Sequence, residues 1–168
     1  MAQVWEGQLC WVPETRLAIV VSRYHEHITR RLLDGAVGTL KQAGVPEQWI
    51  DIAWVPGSWE LPAAAAALAF SRRYAAVLCL GAVIRGETTH DQYINMQVSS
   101  SLGQIAWQAR VPVLFGVLTC QSLEQALQRA GGTAGNKGSE CAEAALRMVD
   151  LFAQWRQAGI LAPPSPQP

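Results

Sequence analysis

Residues 75–90 read AAVLCLGAVIRGETTH, and this stretch decides the fold. Its first part, Ala75–Ile84, is an unbroken apolar run. It is far shorter than the roughly 20 residues that a membrane-spanning helix needs. It also lacks the in–out alternation of a strand with one wet face. Such a run is predicted to be a strand covered on both sides. Ile94, Val98, Leu102, Ile105 and Ala109 then recur at helical spacing. Between strand and helix lies the polar turn Arg85-Gly86-Glu87-Thr88-Thr89-His90.

The same alternation runs outward in both directions. Upstream, Leu17–Ser22 reads as a strand, and Ile28, Leu32, Ala36 and Leu40 mark an amphipathic helix stopped by Gly44 and Pro46. Ile50–Val55 is a second strand, closed by Pro56-Gly57. Leu61–Phe70 is an alanine-rich helix that tolerates Pro62 in its first turn. Downstream, Val111–Leu118 is a fourth strand, Ser122–Ala130 a short helix and Gly131–Gly138 a glycine-rich loop. Ala142, Ala145, Leu146, Val149 and Phe152 line a last helix. Strands separated by helices pair in parallel through right-handed crossovers. The expected fold is α/β: a three-layer α/β/α sandwich around a four-stranded parallel sheet, flavodoxin-like in class. Residues 15–158 form its single domain. Residues 1–14 are an arm whose Val4 and Leu9–Val12 suit an edge strand on a neighbouring subunit. Residues 159–168 form a proline-rich tail expected to be disordered.

Composition narrows the function classes. Half of the 168 residues are hydrophobic and 15% are charged, which excludes wholesale disorder. Thirteen basic and thirteen acidic side chains cancel, so nothing in the overall charge favours nucleic acid or an anionic membrane. The start of the chain has no basic segment leading into an apolar one, so a cytoplasmic protein is expected. Cys10, Cys79, Cys120 and Cys141 form no CxxC pair, and the histidines are only His25, His27 and His90. A zinc site is therefore disfavoured, and reduced thiols in or near the core are expected.

In an open parallel sheet, ligands bind beyond the carboxyl ends of the strands. Here those ends carry Ser22-Arg23-Tyr24-His25, Pro56-Gly57-Ser58-Trp59-Glu60 and Gly86-Glu87-Thr88-Thr89-His90, with Phe115-Gly116-Val117-Leu118-Thr119 in the fourth strand. The turn before the third helix has free N–H groups that suit a phosphate; equally, Thr88 or Thr89 can simply cap that helix. His90 is placed for proton transfer near neutral pH, against a structural reading at a helix start. Tyr24, Trp59 and Phe115 can stack on a flat heterocycle or serve as ordinary core aromatics. Glu60 can cap its own helix or accept from a polyol. Arg129 and Lys137 flank the glycine-rich loop and can hold an anion or stand solvated at a helix end. His25 and His27, two apart, are expected in solvent. The tryptophans at 5, 11, 49, 54, 107 and 155 take ordinary packing readings.

Taken together, these segments resemble one family. Val55-Pro56-Gly57-Ser58-Trp59-Glu60-Leu61-Pro62 resembles its VPG(A/S)(F/W)E(I/L)P signature, and Gly81–His90 resembles its G(A/T)VIRG(E/A)T-x-H signature. Phe115–Thr119, then Glu124-Gln125-Ala126 with Arg129-Ala130-Gly131, then Ala134-Gly135-Asn136-Lys137-Gly138, follow in order. The chain, from about Leu17 to Trp155, resembles the 6,7-dimethyl-8-ribityllumazine synthases of riboflavin biosynthesis. The resemblance implies condensation of 5-amino-6-(D-ribitylamino)uracil with 3,4-dihydroxy-2-butanone 4-phosphate. The amine attacks the ketone to form an imine, phosphate leaves, the enol tautomerises, and ring closure expels water. It implies no cofactor and no metal.

Residue by residue, the resemblance implies that Tyr24, Ser58, Trp59, Glu60, Ala82, Val83, Ile84 and Phe115 bind the aminouracil, Phe115 coming from an adjacent subunit. Glu87, Thr88 and Arg129 would hold the butanone phosphate, His90 would transfer protons, and Lys137 and Glu140 would form a supporting charged pair. It further implies homopentamers, a 60-subunit icosahedral shell in many relatives, and riboflavin synthase as a further partner. Asp91-Gln92 and Met96-Gln97 depart from the family pattern, at positions that bear on subunit packing. Trp59 replaces the more usual Phe, and Tyr24 adds a hydroxyl to a stacking slot. Two other readings compete: a non-catalytic relative that binds lumazine or flavin or only builds a shell, and a receiver-like signalling module. The second needs an acidic cluster after the first strand, where this chain has Ser22-Arg23-Tyr24.

Overall fold

A computed structural model describes residues 1–162. The elements run β1 (Leu17–Ser22), α1 (Glu26–Gln42), β2 (Ile50–Val55), α2 (Leu61–Phe70), β3 (Ala76–Ile84), α3 (His90–Ala109), β4 (Val113–Cys120), α4 (Leu123–Arg129), β5 (Ala130–Gly132), β6 (Gly135–Asn136) and α5 (Lys137–Gln157). The main sheet has the order β2-β1-β3-β4, with every pair parallel. This is the three-layer α/β/α sandwich read from the sequence.

The two central strands explain why their sequences show no alternation. In β1, Leu17, Ile19 and Val21 face a core closed by α1 and α5 residues such as Leu32, Leu40 and Leu146. Ala18 and Val20 face a second core closed by Leu61 and Ala65 of α2 and by Val98 and Leu102 of α3. β3 alternates likewise, with Leu78 and Leu80 on the first side and Val77 and Cys79 on the other. Both faces are apolar because both are buried. β2 is an edge strand, and it is only half-buried.

Boundaries follow local chemistry. β4 begins after Pro112, which lacks an N–H to donate; its carbonyl still accepts from Val77 N at 2.9 Å. Ser122 caps α4 by accepting from Gln125 N at 3.3 Å. Asn136 caps α5 by accepting from Gly138 N and Ser139 N, and its side-chain amide donates to the Arg31 carbonyl, tying α5 to α1. At Gly138 the two helices touch so closely that a Cβ would lie 1.8 Å from the Leu32 carbonyl oxygen.

Three features add to what the sequence predicts. The glycine-rich loop is a small antiparallel hairpin of β5 and β6, with Gly131 and Gly135 in left-handed backbone. Residues 1–14 form no strand within the single chain. They run beside α5, where Asp150 accepts from Gln8 N, Arg147 donates to the Gly7 carbonyl and Gln154 to that of Glu6. Trp107 does not pack in the core: it stands 79% exposed on α3. Of the tail, residues 163–168 lie outside the described residues.

Candidate active site

The carboxyl ends of β1, β2 and β3 build one cavity of about 420 Å³, within the range of small-ligand pockets. The loops after β1 and β2 are clamped together, because Arg23 N donates to the Val55 carbonyl at 2.8 Å and Tyr24 N to that of Pro56 at 3.0 Å. Those bonds bring Tyr24 beside Ser58 and Trp59. β3 contributes Ala82, Val83 and Ile84, and the next turn and α3 contribute Gly86, Thr88, His90, Asp91 and Ile94. Eight of the residues singled out in the sequence therefore share one wall: Tyr24, Ser58, Trp59, Ala82, Val83, Ile84, Thr88 and His90.

The cavity combines flat surfaces with unspent polar groups. Tyr24 is 69% exposed and Trp59 stands open beside it. Ser58 is buried, yet its Oγ has no hydrogen-bond partner among the described residues. Gly81 beneath it has no side chain; a Cβ there would sit 2.7 Å from that hydroxyl. Asp91 also turns a buried, unpartnered Oδ1 inward. A buried unpaired acceptor or hydroxyl costs roughly 1–3 kcal/mol, which a bound ligand's polar groups recover. Thr88 Oγ1 accepts from His90 N at 3.4 Å, so the capping reading of this turn has a physical basis beside the anion reading.

Two expected residues have other engagements. Glu60 Oε2 accepts from Gly57 N at 2.9 Å, so one of its oxygens closes its own turn. Glu87 is exposed in the loop and does not line the cavity.

The remaining candidates lie elsewhere on the chain. A second, more open concavity of about 770 Å³ is lined by Phe115, Thr119, Cys120, Gln125, Arg129 and Lys137, among others. The single chain does not bring Arg129 to Thr88, nor Phe115 to Tyr24. Beside this second hollow, Glu140 is bracketed by two of its lining cations: Lys137 Nζ lies 3.1 Å from Oε2, and Arg129 Nη1 lies 3.2 Å from Oε1. The hydrogen bond from Lys137, with the charges of Lys137 and Arg129, holds the Glu140 carboxyl below its ordinary range despite some burial. Arg129 is further held by the Ala134 carbonyl at 2.7 Å, so the β5–β6 hairpin aims it. Two cations against one carboxylate leave a net positive charge, which suits an anion.

Three lining residues escaped the sequence reading: Asp91 and Ile94, read for subunit packing and for helix periodicity, and His25. His25, expected in solvent, is half-buried in the first cavity with φ 59° and ψ 46°. Nothing in the apolar periodicity reports a left-handed turn at a non-glycine residue. The thiols behave as anticipated for three of the four. Cys79, Cys120 and Cys141 are buried, burial pushes the Cys141 thiol up to about 11, and Cys10 is exposed. Among the described residues, no group of three His, Cys, Asp or Glu is placed to hold a metal ion, and no helix is long and apolar enough to cross a membrane.

A family model described as 6,7-dimethyl-8-ribityllumazine synthase matches residues 14–153 of the chain. The match spans every strand of the main sheet and both concavities.

Proposed function

Because the chain belongs to the 6,7-dimethyl-8-ribityllumazine synthase family of riboflavin biosynthesis, we propose that it condenses 5-amino-6-(D-ribitylamino)uracil with 3,4-dihydroxy-2-butanone 4-phosphate, releasing phosphate and water. The observation that carries this reading is the split of its chemistry. One hollow offers an aromatic platform, an unpartnered hydroxyl and an imidazole; the other offers a net-positive pair of cations. A flat diamine suits the first and a phosphoester the second.

The two hollows do not merge within one chain, so the complete site forms where the first hollow of one protomer meets the second of its neighbour. A contact between two different surfaces of identical chains is head-to-tail, and it closes into a ring when its rotation divides the circle. The outer face of α3 favours such self-association. Tyr93, Met96, Ser100, Gly103 and Trp107 follow a three-four-three-four spacing, and all are exposed on the face away from buried Val98, Leu102 and Ile105. That spacing is the seam of helix-on-helix packing. A homopentamer is the assembly we assign, with residues 1–14 as an arm outside the domain of residues 15–158.

In the assembled site, Tyr24 and Trp59 hold the pyrimidine ring, Ser58 and Glu60 meet the ribityl chain, and Ala82–Ile84 line the ring's edge. Phe115 from the neighbour closes the slot. Thr88, with Glu87 beside it, and Arg129 receive the phosphate; Lys137 and Glu140 fix the position of Arg129. His90 moves protons as the amine adds to the ketone and as water leaves. Holding both substrates together supplies much of the acceleration, since pairing two reactants is worth several kcal/mol.

The test is direct. Mixing the protein with both substrates should generate lumazine fluorescence together with one inorganic phosphate per lumazine. A protein that binds lumazine but generates neither product is a non-catalytic relative, and the reading fails.

A further inference from the structure

Among the side chains lining the first cavity, His25 has no role in the substrate assignments. His25 joins β1 to α1 in left-handed backbone, which is unfavourable for any side chain with a Cβ. Such strain persists where the surroundings over-determine it, and it gathers at binding sites. Here the His25 carbonyl accepts from Ile28 N at 2.8 Å and Thr29 N at 3.1 Å, which starts α1, while Tyr24 N is anchored to the Pro56 carbonyl. The ring that results lies edge-on to Tyr24, 4.7 Å between centroids at 70°. Among the described residues, no hydrogen bond reaches either imidazole nitrogen. Burial and the neighbouring His27 both favour the uncharged imidazole. A neutral ring can pack on an aromatic edge without giving up charge hydration.

We propose that His25 is a positioning residue: its ring braces Tyr24 at the angle that turns the tyrosine's face to the heterocycle. This rests on the reading above, in which the heterocycle stacks on Tyr24. Tyr24 is otherwise weakly held. It is mostly exposed, and His25 makes its one ring contact among the described residues. An unbraced side chain must be ordered by the ligand at the moment of binding, and affinity falls accordingly.

Two substitutions and their combination test this. His25→Asn removes the ring but keeps a residue that tolerates left-handed backbone; His25→Gly is the control for folding. Tyr24→Ala removes the platform. Binding of 6,7-dimethyl-8-ribityllumazine is followed by its own fluorescence, with Tm and the KM of each substrate. His25→Asn should weaken lumazine binding about three- to ten-fold, the range of an aromatic pair contact. Tm and the KM for the phosphate substrate should stay unchanged. In the Tyr24→Ala background, His25→Asn should change nothing further, because its effect passes through that ring. Equal weakening in both backgrounds would mean direct contact with ligand and would overturn the proposal. So would unchanged affinity in His25→Asn while Tyr24→Ala binds poorly. If Tyr24→Ala itself binds normally, the stacking assignment falls, and this proposal with it.

Discussion

Mixing two damaged proteins reports whether the site is shared. Tyr24→Ala damages the first hollow and Arg129→Ala the second. Removing a stacking aromatic costs about 1–3 kcal/mol of binding. Losing a charge-assisted contact to phosphate costs about 1.5–3 kcal/mol. Each homogeneous variant should therefore retain roughly 1–20% of wild-type kcat/KM. In the proposed ring, co-assembled from equal amounts, each contact would pair the first hollow of one chain with the second of the next. Four pairings are equally frequent, and one joins an intact first hollow from Arg129→Ala to an intact second hollow from Tyr24→Ala. About one quarter of the sites should be wild-type. The assay is lumazine formation at subsaturating substrate, after the two chains are co-expressed or unfolded and refolded together. Activity near 25% of wild type supports the shared site. Activity equal to the mean of the two parents places every component within one chain and refutes the reasoning.

Other outcomes follow from single features. His90→Ala should slow turnover about 10²- to 10⁴-fold at most without abolishing it, because general acid–base help is only part of the acceleration; complete loss with both substrates still bound would contradict this. Gly138→Ala forces a Cβ to 1.8 Å from the Leu32 carbonyl oxygen, where backbone and not a flexible side chain must yield. It should cost about 3 kcal/mol or more in urea unfolding, and a loss under about 1 kcal/mol would show that α1 and α5 separate easily. Glu140 has a folded-state pKa below its unfolded one, so its pairing stabilises above the ordinary carboxylate pKa and is lost as pH falls through the lower value. The stability gap between wild type and Glu140→Gln should thus be constant above about pH 5.5 and narrow steadily as pH falls below the ordinary carboxylate pKa of about 4.3; a gap that does not narrow on acidification would refute the pairing. In the native single chain, a thiol reagent should label Cys10 first, with the three buried cysteines reacting on unfolding; rapid native labelling of Cys79 would contradict its burial.

The sheet was legible because burial on two faces writes itself as uninterrupted apolar runs. Ala75–Ile84 needed no partner to be recognised, and the turn residues after β1, β2 and β3 marked the cavity mouth. What escaped has specific causes. The backbone of His25 is left-handed through the hydrogen bonds around it, and no residue pattern encodes that. The hairpin of β5 and β6 consists of glycines, two alanines, Thr133 and Asn136, with no apolar period to read. Trp107 took an ordinary packing reading, because an exposed helix seam and a core stripe draw on the same residue types; only exposure separates them. The separation of Arg129 from Thr88 lies in the position of β4 at one edge of the sheet, which strand order fixes and linear spacing does not.

A crystal structure of the assembled particle grown with inorganic phosphate and the lumazine product would test the central claim. The expected result is His90 of one protomer and Arg129 of its neighbour facing a single closed cavity, with phosphate between them and the lumazine ring against Tyr24. Finding those two residues on unrelated surfaces, with no cavity between neighbours, would contradict it.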